Sequence, residues 1–351
     1  MTPDKLPVTL LTGFLGAGKT TFLNRLVATP GFGRTAVIVN EFGEAGIDGA
    51  LVAPADETAV EMTVGCLCCT VSGDIRETVS RLLADRAAGD GPAFDRLVVE
   101  TTGFANPAPV LQLFLSDDEM RRRCALNGVV TLLDAVNAEY ALEKFEEAQR
   151  QVAVADLIAI TKGDLARDPA SLGDLADLKA DAARRNPNAK ICDAADVDAA
   201  TAFTLGAYDI ATKRPDVAGF LRFQSESPAH HHHGPHGHDA NQHGDAASAY
   251  CFTADAPIAL DALDAAISAL QASFGADLLR LKGLVDIAGD PCRPLLVHVA
   301  GHALGPPRQL DRWPDGVDQT RIVVILGGAM RAEGPRMLQA FLPALKPFGA
   351  G

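Results

Sequence analysis

Basic charge is what this chain is short of. Its 351 residues carry 31 Lys and Arg against 45 Asp and Glu, a formal net charge of −14. A surface of that sign repels phosphate backbones, which excludes nucleic acid as a partner. The opening residues, Met1-Thr-Pro-Asp-Lys5, have neither the basic start nor the apolar stretch of an export signal. No uncharged apolar run reaches the roughly 18 residues of a membrane span. The expectation is therefore no membrane partner and a cytoplasmic location. In that setting the seven cysteines are expected to stay reduced, so clustered ones read as ligands. Also missing are tandem repeats and the two-pair C-x2-C framework of a zinc finger.

Apolar residues, at 48%, are enough for a sizeable core. Short apolar runs at Val8–Thr12, Thr35–Asn40, Arg96–Thr101, Gly128–Leu133 and Leu157–Thr161 alternate with helical stretches such as Thr20–Val27 and Asp74–Ala88. This pattern predicts an α/β fold: a mainly parallel sheet covered on both faces, over residues 1–205. Residues 206–248 form an expected linker, histidine-rich in its second half. A smaller α+β domain is expected over 249–351, with helices at Ile258–Phe274 and Arg336–Leu345 and strands at Leu284–Ile287, Pro294–Val299 and Arg321–Leu326.

Gly13-Phe-Leu-Gly16-Ala17-Gly18-Lys19-Thr20 satisfies G-x-x-x-x-G-K-[ST] between a predicted strand and a predicted helix. Its glycines let backbone N–H groups converge on phosphates at a helix N-terminus. Lys19 can reach the β- and γ-phosphates, and Thr20 can hold Mg2+. Glu100 ends the strand Arg96–Thr101, where an acid binds Mg2+ through water, and Gly103 leaves room for its amide to approach the γ-phosphate. Glu41 and Glu44 lie in the loop after the second strand, as carboxylates for Mg2+, for a cargo metal, or for orienting water. Thr161-Lys162-Gly163-Asp164 follows a later strand. Its carboxylate can accept both N1–H and the 2-amino group of guanine, which favours GTP over ATP. Thr161 stands where the usual guanine-reading motif has Asn, so one amide contact is lost.

Cys66-Leu-Cys68-Cys69 packs three thiols into four positions between these nucleotide motifs. Three thiolates leave the fourth tetrahedral position of Zn2+ open, which suits transfer better than storage. Cys124, Cys192, Cys251 and Cys292 are scattered and read as core residues. His230, His231, His232, His233, His236 and His238 give the linker imidazoles of modest affinity and little metal selectivity. His298 and His302 read as structural or rim residues.

Together, the forms GFLGAGKTT, NEFGE, GCLCC, ETTG and TKGD, in that order, resemble the CobW-like family of metal-linked GTPases, along nearly the whole chain. The resemblance implies slow, Mg2+-dependent GTP hydrolysis, with GTP/GDP, Mg2+ and Zn2+ (or Co2+) as cofactors and cargo. It implies that Gly16 to Thr21 cradle the phosphates, with Gly13 opening the loop. Thr20 and Glu100 would organise Mg2+, Lys162 and Asp164 would flank guanine, and Cys66, Cys68 and Cys69 would carry the ion. A client metalloprotein would receive the metal from a monomer or homodimer. The alternatives are a cobalt-handling factor in cobalamin biosynthesis and a metal-sensing scaffold with incidental GTPase activity.

Overall fold

The computed structural model describes residues 5–29, 32, 34–39, 71–90, 93–165, 175–203, 205, 247–314 and 317–348. Glu41, Glu44, Cys66, Cys68, Cys69 and the histidines from His230 to His238 lie outside the described residues.

Six strands form a parallel sheet in the order β2-β3-β1-β4-β5-β6. They are β1 (Leu6–Gly13), β2 (Thr35–Val39), β3 (Arg96–Glu100), β4 (Cys124–Asp134), β5 (Leu157–Thr161) and β6 (Lys190–Asp193). The connecting helices are α1 (Lys19–Val27), α2 (Val71–Ala88), α3 (Ala108–Ser116), α4 (Asp118–Arg123), α5 (Ala138–Lys144), α6 (Glu146–Ala153), α7 (Leu175–Arg185) and α8 (Ala199–Phe203). Side chains alternate across a strand, so β1 feeds two cores. Leu6, Val8 and Leu10 pack with Ile75, Val79 and Leu82 of α2 and Leu111 and Phe114 of α3. Leu11 packs on the other face with Phe22, Leu23 and Leu26 of α1 and Phe203 of α8. With both faces covered, the strands read as continuous apolar runs rather than alternating ones, which is why they were visible in the sequence.

The strand order reverses direction around β1, with β3 on one side and β4 on the other. In a doubly wound sheet that reversal opens a crevice at the carboxyl ends of the strands. The glycine loop, Glu100, Asp134 and the Thr161–Asp164 turn all lie at those ends.

A second, antiparallel sheet runs β10-β9-β8-β12-β7-β13, with β11 paired to β9. Its strands are β7 (Ala247–Ala254), β8 (Leu278–Val285), β9 (Leu295–Ala300), β10 (Ala303–Leu304), β11 (Arg308–Gln309), β12 (Thr320–Gly327) and β13 (Lys346–Pro347). One face, with Ile322, Val324 and Leu326, packs on the helices Leu260–Phe274 and Gly334–Phe341. From the other face, Val323 and Ile325 join Leu111 and Leu115 of α3 and Ala153 of α6 in one core. Each fully buried Leu or Ile contributes about 1.5–3 kcal/mol.

Arg280 and Lys282 lie opposite Ile325 and Val323 in the β8–β12 ladder, hence on the face turned to the first sheet. Both are buried, and both meet Asp156 at the start of β5: Arg280 Nη2 at 3.0 Å, and Lys282 Nζ on the other oxygen. Burial would raise the Asp156 pKa, but the two cations and the Val129 amide hold it below the ordinary carboxylate range. Arg280 also donates to the Val154 carbonyl and to His298 Nε2. Burial and the two neighbouring cations hold the His298 pKa well below its usual value, so the ring is a neutral acceptor.

Several sequence expectations need correcting. The strand expected at Leu284–Ile287 is Leu278–Val285, because Arg280 and Lys282 disguise a wholly buried strand as a polar segment. The helix expected from Ile258 begins at Leu260, since Ile258 bridges to Ile287. The closing helix runs Gly334–Phe341 rather than Arg336–Leu345. The strands β6 and β7 were not foreseen.

Candidate nucleotide site

β1 ends at Gly13, where an added Cβ would lie 2.6 Å from the Leu132 carbonyl oxygen, so only glycine lets the chain leave the sheet here. Gly16 and Gly18 then take φ of +74° and +84°, in the region glycine adopts without strain. Among the described residues nothing stands within 4 Å of where their Cβ atoms would be, so no described residue crowds this side of the loop. α1 starts immediately after, at Lys19. The Lys19 ammonium donates to the Gly13 carbonyl at 2.9 Å and to that of Phe14 at 3.3 Å, which curls the side chain over the loop.

Thr20 Oγ1 stands 3.5 Å from Glu100 Oε1. Glu100 is only 2% exposed, and a buried carboxylate beside a hydroxyl is a donor set suited to Mg2+. The open cradle, the lysine and this pair fit a magnesium–nucleotide. The bound metal would neutralise phosphate charge, while Thr20 and Glu100 hold their oxygens at the loop.

The segment after β3 is tied back to β1: the Thr101 amide donates to the Leu11 carbonyl at 2.9 Å, and Thr101 Oγ1 to Thr12 Oγ1 at 2.8 Å. A Cβ at Gly103 would meet the Leu15 backbone at 2.6 Å. The glycine is thus needed where this segment crosses the phosphate loop. Its carbonyl accepts from Gln151 of α6.

On the far side of the loop, Thr161 Oγ1 donates to the Ala17 carbonyl at 2.9 Å. The hydroxyl therefore clasps the phosphate loop to β5, a use of Thr161 that its reading as a lost amide contact missed. Lys162 holds φ +56°, rare for a side-chain-bearing residue, and its ammonium reaches Asp134 Oδ2 at 2.7 Å. Asp134 is buried, which would raise its pKa, but Lys162, Asn137 and the Val136 amide overcome this and hold it below the usual range. Asp164 is exposed at the end of this turn.

The structure thus brings together Gly13, Gly16, Ala17, Gly18, Lys19, Thr20, Glu100, Gly103 and the Thr161–Asp164 turn; Thr21 lies on α1. Sequence reasoning missed Asp134, although an acid closing an apolar strand is a signal of the kind that revealed Glu100. It also missed Gln151, whose residue type carries no such signal. Among the described residues no group of three or more His, Cys, Asp or Glu is gathered for a metal. Burial lifts the Cys124 and Cys251 thiols to about 12, which leaves them inert packing groups. Cys292 is exposed, not core as expected. No helix among the described residues is long and apolar enough to cross a membrane.

A strand, a glycine loop and a helix, with the loop threonine facing an acid from the next strand of the sheet, define a phosphate-loop nucleotide hydrolase as the class. Residues 7–193 match the family model CobW/HypB/UreG, nucleotide-binding domain, and residues 247–342 match the Cobalamin synthesis protein cobW C-terminal domain. The chain belongs to the CobW/HypB/UreG family. It is 34% identical to the zinc chaperone CobW of Pseudomonas aeruginosa over 356 aligned positions, covering 92% of this chain and 87% of that protein. It is 41% identical to the zinc chaperone YjiA of Escherichia coli over 169 residues, a match that spans 48% of this chain and 53% of that protein. The crystal structure of Zn(II)-bound YjiA GTPase from E. coli superposes with a TM-score of 0.68 at 28% identity, covering 98% and 100% of the two chains.

Proposed function

We propose that this chain is a GTP-hydrolysing metallochaperone that carries Zn2+ on Cys66, Cys68 and Cys69 and hands it to a client metalloprotein, with nucleotide state governing its hold on the ion. One observation carries the reading: the cysteine run leads directly into α2, which begins at Val71 and packs against α3. α3 in turn continues from the loop behind Glu100. A change in that loop on GTP hydrolysis therefore has a short mechanical route to the thiolates. The relatives named zinc chaperones support zinc as the cargo.

If nucleotide alters zinc affinity, zinc must alter nucleotide affinity by the same factor. The test is a Zn2+ titration of the whole protein with GTP, with GDP and without nucleotide. The expected result is an affinity difference of at least about five-fold between the GTP and GDP forms. Replacing the three cysteines by serine should remove the tight site. Equal affinity in all three states would sink the coupling, and an intact tight site in the triple variant would sink the cysteine assignment. The family model over 247–342 carries a cobalamin-synthesis description, so Co2+ as cargo is the second reading. Competition between Zn2+ and Co2+ in the same titration separates the two.

A further inference from the structure

The loop from Thr101 to Pro107 leaves β3 directly behind Glu100, and its far half is held by one side chain. Gln151 of α6 donates one amide hydrogen to the Gly103 carbonyl and the other to the Ala105 carbonyl, each at 3.0 Å. Two bonds from one planar amide to carbonyls two residues apart fix both the position and the orientation of the loop. Gln151 is 1% exposed and its bond to the Gly103 carbonyl is buried, where such a bond is strong if made and costly if broken; the bond to the Ala105 carbonyl is half-buried. The neighbouring residues on α6, Ala148, Val152 and Ala153, are apolar and buried, and packing alone would have been served by leucine or methionine.

α6 is itself gripped by the second sheet. Arg150, next to Gln151, pairs with Asp277 at 3.0 Å, and the Val154 carbonyl that closes the helix accepts from Arg280. Asn186 occupies the Val152, Ala153 and Ala155 carbonyls at 2.8–2.9 Å, so the helix end is fixed. The other end of the loop runs into α3, which packs on β9 and β10. There Gly301, beside the Gln112 side chain of α3, holds φ +56°, a conformation that favours glycine.

We propose that Gln151 is a positioning residue for GTP hydrolysis: it sets the loop that links Glu100 to α3, and the second sheet sets Gln151 by holding α6. A partner that shifts that sheet would then alter hydrolysis without touching the nucleotide. The proposal rests on the GTPase activity and not on the zinc assignment, so failure of the cargo reading leaves it standing.

The test is steady-state GTP hydrolysis by the full chain with Mg2+. Gln151→Met should lower kcat at least about ten-fold while KM for GTP moves less than about two-fold, the signature of a lost transition-state interaction. Gln151→Glu should be equally slow at pH 8. Relative to the parent protein it should recover as pH falls towards 5, because the introduced carboxyl, once protonated, donates a hydrogen bond to the loop again. This pH arm decides the matter even if Gln151→Met fails to fold. Asp277→Ala should lower kcat about three-fold alone and add nothing to Gln151→Met, as expected for residues acting through one helix. A kcat within two-fold of the parent in Gln151→Met, or a flat relative pH profile in Gln151→Glu, overturns the positioning role. Additive effects of Asp277→Ala and Gln151→Met overturn the link to the second sheet.

Discussion

Thr161 shows how one atom decides what a motif does. An asparagine there would offer an amide; the threonine offers only a hydroxyl, and the Ala17 carbonyl of the phosphate loop takes it at 2.9 Å. Ala17 is buried, so water does not replace that bond when it is lost. A net hydrogen bond of this kind is worth about 0.5–1.5 kcal/mol. Thr161→Val keeps the shape and removes the donor, so GDP affinity measured by calorimetric titration should weaken about 2–12-fold, the same energy expressed as a ratio. Thr161→Ser should stay within about two-fold, because the donor survives. An undiminished affinity in Thr161→Val would show that the clasp has no bearing on nucleotide. The sequence identified this residue and its neighbour Lys162 by spacing alone, but not what they touch. The partner Ala17 comes from the phosphate loop and Asp134 from the end of β4, and only the parallel pairing of β4 with β5 brings Asp134 opposite Thr161.

At the scale of elements, legibility followed burial pattern. β1, β3 and β5 are continuous apolar runs and were found from the sequence within a residue or two. β8 was not, because its buried face carries Arg280 and Lys282, charges that rarely enter a core unless paired. The pairing residue, Asp156, lies more than a hundred positions earlier, at the foot of the strand that leads to the Thr161–Asp164 turn. Two cations share this one carboxylate, and the imidazole beside them is neutral. Removing the acid therefore costs much more than removing one base. Asp156→Ala removes the carboxylate that both buried cations share and should destabilise the fold by about 3–5 kcal/mol. Lys282→Met leaves a neutral Asp156–Arg280 pair and should cost less than half as much. Urea unfolding of the two variants checks the order, and equal losses would refute this account of the cluster. The folded pKa of Asp156 lies below its unfolded value, so its contribution is complete above the ordinary carboxylate range and is lost as pH falls through the depressed folded value. The same unfolding series at low pH should narrow the gap between the parent protein and Asp156→Ala.

For the molecule as a whole, the question is whether the two sheets behave as one body. A single core runs from Leu10 of β1 through Leu111 of α3 to Val323 and Ile325 of β12, and the Asp156 cluster lies in the same seam. A seam of that kind gives nucleotide binding at the first sheet a packed route to the second. The chain provides its own reporter, since its one tryptophan is Trp313. That side chain is half-buried, packs against Leu284, Leu296, Leu310 and Val317, and donates to the Pro291 carbonyl at 2.7 Å, all within the second region. GDP held at 100 times its Kd stabilises the protein it binds by about 2.7 kcal/mol. If the seam couples the sheets, the urea midpoint read by Trp313 fluorescence should rise with GDP as far as the midpoint read by far-ultraviolet circular dichroism, and the two curves should coincide. A Trp313 midpoint indifferent to GDP would mean that the second sheet unfolds on its own. The hold of that sheet on α6 would then be too weak to transmit a partner's arrival to the loop behind Glu100.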